Sequence, residues 1–383
     1  MTSTSGSTTG RDRFTTEWLT EALRQAGILE QGAVTAVKLE HIGTGQMAET
    51  FRAGLSYLEA TVSAPSSLII KFPADDPGSR AIATAMGLYQ GETGFYRDIA
   101  PLLTTRIPQC YFVEIDQESG DFTLLLEDLS HLEPGDDLAG ATPDQCSSAL
   151  AELVGLQAPT WNSSAITRLP WLGAERGTIA MFDAIPHGCP ALLERFGDDL
   201  DASHVALIEE IAPLSGDWAR SWTAPTVLMH GDFRNDNLLF DHTPGAESIT
   251  VIDFQTVRLA PPGLDVAYYL SSSLPPETRR ECERDLVEEH HARLEAAGIA
   301  GFSADDAWRA YREGSLYGFF VMVGLANQVE PSERGDRLVV NQIRRHATAA
   351  IDLEAAAAAG LAPAHERKGK ADGLVPAHER KGY

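Results

Sequence analysis

Residues 226–255 restrict what this chain can fold into more than any other stretch. Twice within it an apolar run delivers polar residues into a loop. Leu228-Met229 leads into His230-Gly231-Asp232-Phe233-Arg234-Asn235-Asp236-Asn237, and Val251-Ile252 leads into Asp253-Phe254-Gln255. Runs this short and apolar, at 226–229 and 249–252, read as strands. Asn237 lies five residues after Asp232, and the second strand carries Asp253. That is the set phosphoryl transfer asks for: one carboxylate to accept a hydroxyl proton, and an Asn and an Asp whose oxygens hold magnesium against phosphates. As mere loop-capping Asx residues, the set would be flanked by two apolar strands by accident.

The periodicity around this segment changes along the chain. Phe14, Trp18, Leu19, Ala22, Leu23 and Ala26 fall on one helical stripe that ends at Gly27, with Thr15 or Thr16 as N-cap. Strand patterns follow at 34–42, 49–58 and 68–72, then a helix over 79–99, then strands at 111–115 and 121–127 joined by the turn Asp116-Gln117-Glu118-Ser119-Gly120. Downstream, helical patterns at 143–158, 201–220, 277–297, 303–327 and 333–358 dominate. The expected fold class is α+β: a five-stranded antiparallel sheet with one helix, then a mainly helical part, with lobes at 13–130 and 131–360. Residues 1–12 hold little to bury, and 361–383 carry the twice-occurring Pro-Ala-His-Glu-Arg-Lys-Gly; both are expected to be disordered tails. Two copies are too few for a solenoid.

The phrases HGDFRNDN and VIDFQ resemble the aminoglycoside phosphotransferase and choline kinase superfamily, which shares its fold with protein kinases. The resemblance implies a two-lobed kinase-like fold, with Asp232 as catalytic base, Asn237 as a metal ligand and Asp253 as the principal metal ligand. It implies a structural, bracing role for His230. Pro261-Pro262-Gly263-Leu264-Asp265 also matches; Asp265 either tethers the catalytic loop, as in the superfamily, or is an ordinary helix-start carboxylate. GETGFYRDIAPLL, LLLEDLS and VIDFQ look most like the ecdysteroid-kinase-like (CHK-kinase-like) branch, over about residues 40 to 330. Gln157 departs from it, standing where relatives often have His.

The nucleotide side of the site is read upstream. Lys71 ends the apolar strand Leu68-Ile69-Ile70, and a buried cation needs an anionic partner, which a triphosphate supplies. Glu92, on the following helix, is the expected orienting partner of Lys71, as in other kinase-like folds. Gly43 and Gly45, in Ile42-Gly43-Thr44-Gly45-Gln46, form a turn able to cover phosphates with backbone N–H groups. The strand Phe122–Leu126 runs into the acidic turn Glu127-Asp128-Leu129, similar to the place where a kinase-like hinge offers backbone groups to adenine, and the resemblance implies that role for Glu127 and Leu129. The expected cofactors are Mg2+ and ATP, with GTP as the alternative donor.

Competing folds fail on particulars. The letters Gly43–Ala48 fit a dinucleotide fingerprint, but a strand follows them instead of a helix. No GxxxxGK[ST] occurs. A protein kinase would need an Ala-Pro-Glu segment and an activation loop, for which the run from Asp253 to Asp265 leaves no room. A formal charge of −25 argues against a nucleic-acid partner; an acidic surface either suits a cationic substrate or only keeps the protein soluble. No stretch reaches the roughly 18 apolar residues of a membrane span, which leads to an expected cytoplasmic location with no membrane partner. Cys110, Cys146, Cys189 and Cys282 form no CxxC pair and are expected as free thiols. The expectation is a small-molecule O-kinase, monomeric or homodimeric, acting on a small hydroxylated substrate. The alternative is a nucleotide-binding pseudokinase that acts as a regulator.

Overall fold

A computed structural model describes residues 10–43, 47–59, 64–172, 178–223, 225–243, 248–326 and 332–361. The chain divides into two compact units: Met1–Gly135, Ser148–Gly177 and Val227–Leu259 form the first, and Asp136–Ser147, Thr178–Thr226 and Ala260–Tyr383 the second. The two expected tails lie outside the described residues except near their inner ends. Residues 10–13 make a single 3-10 turn in which Arg13 donates to Asp121 Oδ2 at 2.8 Å, Phe122 O at 2.6 Å and Thr123 Oγ1 at 2.7 Å.

In the first unit, α1 (Thr16–Gln25) is capped by Thr15, whose hydroxyl accepts from the Trp18 amide at 3.2 Å. Strands β1 (Ala33–His41), β2 (Ala48–Leu58), β3 (Ser67–Pro73), β4 (Cys110–Ile115) and β5 (Phe122–Glu127) form an antiparallel sheet in the order β1-β2-β3-β5-β4. Period-two alternation sorts their side chains. Leu68, Ile70 and Phe72 join Phe51, Ala53, Leu55 and Leu125 in one core with Leu19, Ala22 and Leu23 of α1. Lys71, between Ile70 and Phe72, is thereby turned to the opposite face.

The helix expected over 79–99 is instead two. α2 (Pro77–Ala85) ends before Gly87, whose φ of 67° stops the right-handed turn, and α3 (Leu88–Gly94) restarts from it. A π-type turn over Phe95–Ile99 follows, and such a turn shifts the phase of the residues it carries. Gly94 admits the Trp171 indole, since a Cβ there would lie 2.4 Å from the ring. Trp171 Nε1 donates to Asp98 Oδ2 at 2.7 Å.

The remaining strands of this unit are short. β6 (Glu133–Pro134), β8 (Leu238–Asp241) and β9 (Ser248–Val251) form a three-stranded sheet in the order β6-β8-β9, and β7 (Val227–Met229) pairs with β10 (Arg258–Ala260). Sequence patterning finds β7 and β9 but not β6, β8 or β10. At two to four residues these strands carry too few side chains to show a period.

The second unit is helical, in line with the mainly helical C-terminal part expected from the sequence. It contains α5 (Thr178–Phe196), α6 (Ala202–Ile211), α7 (Ser215–Arg220), α8 (Gly263–Ser273), α9 (Pro276–Ala296), α10 (Ala304–Leu325), α11 (Glu333–Asp352) and α12 (Ala355–Ala358); α4 is Pro143–Gln157. The sequence reading assigns no helix to 178–196, which holds Pro186 and Pro190. Burial of Phe182, Ile185, Cys189, Leu192 and Phe196 at helical spacing outweighs both prolines. The single patterns at 201–220 and 333–358 break at the 3-10 turn Ala212–Leu214 and at Glu354, whose φ is 47°. α8 and α10 cross backbone to backbone, because a Cβ on Gly263 would lie 2.1 Å from the Ala310 carbonyl oxygen.

Candidate active site

Two of the sequence-predicted residues, Glu92 and Asp253, meet at Lys71. Its Nζ donates to Glu92 Oε1 at 2.8 Å and to Asp253 Oδ1 at 3.0 Å. The Lys71 and Glu92 side chains are 12% and 3% exposed, so this is a buried ion cluster, while Asp253 keeps 30% of its surface open. Burial works against the charge on Lys71, but the carboxylates of Asp253 and Glu92 overcome it and hold its pKa above the usual lysine range. Glu92 is pushed up to about 6, first by burial and then by Asp253, with Lys71 opposing. Burial also acts against Asp253, yet Lys71 holds it below the ordinary aspartate value. Lys71 thus opposes the cost of burial on both carboxylates, outweighing it at Asp253 and not at Glu92.

Asp253 is delivered by β9 and then by a strained residue. Its backbone sits at φ 64°, ψ 67°, the left-handed region that a β-carbon disfavours. Packing of its neighbour holds it there. Phe254 is fully buried, stacks on Phe95 with ring centroids 3.8 Å apart and 6° between planes, and meets the His230 ring at 4.9 Å. The π-type turn after α3 therefore locates Phe95 against the residue following Asp253, on the same short element run that carries Glu92.

The loop after β7 is held from inside. His230 is fully buried; its Nδ1 accepts the Asp232 amide at 3.2 Å, which assigns the ring proton to Nε2, 2.9 Å from the Ile252 carbonyl. Its hydrogen bonds brace the loop against β9. Gly231 takes φ 85°, and a Cβ there would lie 2.7 Å from the Thr256 carbonyl oxygen, so only glycine makes this turn. Asp232 then has a donor on each oxygen: Arg234 Nε on Oδ1 at 2.9 Å and Asn237 Nδ2 on Oδ2 at 2.8 Å. Arg234 also donates from Nη1 to Asp236 Oδ2 at 2.6 Å.

Asn237 and Asp253 come from adjacent backbone. The Asn237 carbonyl accepts the Ile252 amide at 3.0 Å, one residue before Asp253, and Leu238 pairs with Val251. Asn237 spends Nδ2 on the Asp232 side chain and carbonyl, and no described residue donates to its Oδ1. One carboxylate and one amide oxygen are a donor set that suits magnesium, which keeps water and phosphate oxygens for its remaining positions. Among the described residues no group of three or more His, Cys, Asp or Glu could by itself enclose a metal ion.

The other candidates fall as follows. Gly43 has φ 77°, while Gly45 lies outside the described residues. The lead into β2 is anchored by Tyr89, whose hydroxyl donates to the Met47 carbonyl at 2.7 Å and accepts the Ala74 amide at 3.2 Å. The Glu127 amide and carboxylate are both engaged with Gln109, at 2.9 and 3.2 Å. The Leu129 N–H has no partner among the described residues, and its carbonyl accepts the Leu132 amide at 2.9 Å. Between them Asp128, unremarked by the sequence reading, ties the segment to the sheet by accepting from Arg52 Nε at 3.0 Å and Ser67 Oγ at 2.7 Å. Gln157 is 1% exposed. Asp265 is in the first turn of α8, 1% exposed, and belongs to the second unit. Arg234 and Asp236 also escaped the sequence reading; their signal is a basic and an acidic residue inside the motif, two and four positions after Asp232.

Residues 79–313 match the model of the phosphotransferase enzyme family. Among solved structures, the choline kinase of Cryptosporidium parvum Iowa II aligns with 84% of this chain and 91% of its own at 11% identity and a TM-score of 0.52, a likeness of fold. An ethanolamine kinase of Plasmodium vivax aligns over 84% of each chain at 12% identity and a TM-score of 0.47. Among curated proteins, a 55-residue stretch making up 13% of this chain is 49% identical to acyl-CoA dehydrogenase family member 10 of Mus musculus, and spans 5% of that protein. No described helix is long and apolar enough to cross a membrane.

Proposed function

The chain belongs to the phosphotransferase enzyme family, and from that premise we propose that it moves the γ-phosphoryl group of ATP or GTP onto a hydroxyl of a small molecule, with magnesium. The observation that carries this reading is the coexistence of two separately braced carboxylates in one unit. Asp253 is ionised against Lys71, and Asp232 is held by Asn237 and Arg234. Lys71 supplies positive charge to the phosphates while Glu92 keeps its ammonium in place. The Leu129 N–H offers a donor to the base of the nucleotide. Asn237 Oδ1 and the Asp253 carboxylate would hold magnesium, whose chemistry is to neutralise charge on the phosphate oxygens. Asp232 takes the proton of the acceptor hydroxyl as its oxygen bonds to the γ-phosphorus and the nucleoside diphosphate leaves.

The acceptor is read only as a hydroxylated small molecule, one for which the acidic chain, pI near 4.7, favours a cationic character. The test is a panel of amino alcohols, aminoglycosides, sterol-like alcohols and other hydroxylated metabolites, offered with ATP or GTP and magnesium and read by transfer of labelled phosphate. Transfer to one class supports the reading. Tight nucleotide binding with no transfer to any acceptor would replace it with a regulator that binds nucleotide without turnover.

A further inference from the structure

We propose that Arg234 is a positioning residue for the proton acceptor: pinned by Asp236, its guanidinium holds Asp232 Oδ1 while Asn237 holds Oδ2, so that the carboxylate meets the acceptor hydroxyl in one orientation. This deepens the phosphotransferase reading above and rests on it. The terminal torsion of an aspartate is soft and nearly two-fold, so a single donor on one oxygen leaves the carboxylate free to rock. Two donors on different oxygens remove that freedom. The backbone brings both donors to the same carboxylate: Asn235–Asn237 form one 3-10 turn, closed by the Asn237 amide on the Arg234 carbonyl at 2.9 Å. Asn237 therefore returns to Asp232 from the far end of the turn while Arg234 reaches it from the near end.

Asp236 completes the device. With Nη1 fixed on Asp236 Oδ2 at 2.6 Å, Nε is directed onto Asp232 Oδ1 at 2.9 Å, so the planar fork of one guanidinium spans two carboxylates. A lysine ammonium cannot reproduce that geometry. Stability does not explain the arrangement. Arg234 and Asp232 are each 27% exposed and Asp236 is 38% exposed, and pairs this open to water contribute little to folding. What the chain gains is the aim of Asp232, where an error of about 1 Å is enough to lower turnover by about 100-fold.

The experiment combines kinetics with a crystal structure. Arg234→Ala should lower kcat by about 10- to 100-fold while leaving nucleotide KM within about threefold, the pattern of lost orientation rather than lost binding. Arg234→Lys should recover little, and millimolar methylguanidine should restore part of the Ala variant's rate. In an Asp232→Asn background Arg234→Ala should cost nothing further, because a group acting through Asp232 has nothing left to act on. An additive loss in that background, or a raised nucleotide KM with unchanged kcat, assigns Arg234 to the phosphates and overturns the proposal. The crystal structure of Arg234→Ala separates this failure from a failure of the functional reading. Asp232 unchanged in rotamer and order refutes the clamp whatever the protein phosphorylates, whereas wild-type protein inert toward every acceptor refutes only the activity.

Discussion

Replacing Glu92 by Gln should make the protein more stable above pH 6 and less active. Gln keeps the shape and an oxygen for Lys71 Nζ, now 2.8 Å from the carboxylate, and removes a charge buried to 3% exposure. Glu92 has an ordinary value of 4.5 and rises in the fold to about 6. A raised folded-state value means that the stability this group contributes is complete below pH 4.5 and is lost as pH climbs through 6. At 1.36 kcal/mol per unit the loss is about 2 kcal/mol. Gln does not titrate, so the stability gap between variant and wild type should widen by about that much between pH 4.5 and 7. Lys71 stays charged across this window, and Asp253, held low, titrates below it. Groups common to both proteins cancel in the difference. The assay is urea unfolding of both proteins from pH 4.5 to 8, followed by fluorescence. Meanwhile turnover should fall, because Lys71 retains Asp253 at 3.0 Å as its remaining anion and is drawn toward it. The loss should be milder than that of Lys71→Met, which deletes the cation. A stability gap that does not change with pH would refute the reasoning, since it would mean that Glu92 titrates alike folded and unfolded. Additive kinetic effects of Lys71→Met and Glu92→Gln would show that the pair is not coupled in catalysis.

Three further outcomes are expected. Asp232→Asn should bind nucleotide normally and lose about 10²–10⁴-fold in turnover, measured by phosphate transfer, and turnover near wild type would remove Asp232 from proton transfer. Asp253→Ala should stay folded and lose magnesium-dependent nucleotide binding in isothermal titration, whereas unchanged affinity would discard it as a metal ligand. In the second unit, His346 is fully buried, stacks on Tyr268 at 5.2 Å, and has no hydrogen-bond partner on either ring nitrogen among the described residues. Burial, reinforced by the Arg345 charge, lowers its pKa from 6.5 to about 3. Stability should therefore be lost as pH falls through 6.5, by about 3 kcal/mol over the first two units. His346→Leu should flatten that slope in acid titrations; an unchanged slope would place the loss elsewhere.

The sequence by itself determined the elements whose signal is local. The strands at 49–58 and 68–72 were legible, as was Lys71 as a cation ending an apolar run, but the face that Lys71 takes follows only once Ile70 and Phe72 are seen to be buried, because the pleat then turns it the other way. Asp232, Asn237 and Asp253 stood out as candidates because apolar strands flank them, while the roles expected of them came from the family resemblance. Glu92 was legible as the partner of Lys71 only through the family resemblance, since nothing local distinguishes it from a solvated helix glutamate.

Tertiary structure alone decided the rest, because it depends on contacts between residues far apart in the chain. The break at Gly87 and the π-type turn at Phe95–Ile99 divide a continuous helical pattern, and the stack of Phe95 on Phe254, more than 150 residues away, is available only in the fold. The same stack flanks Asp253 in a left-handed conformation that local preference opposes. Pro186 and Pro190 argue against a helix that burial nonetheless maintains. Whether Arg234 is a solvated cation or a clamp on Asp232 cannot be read from its position in the motif. It depends on the 3-10 turn that brings Asn237 and Arg234 to opposite oxygens of one carboxylate, and backbone geometry sets that turn.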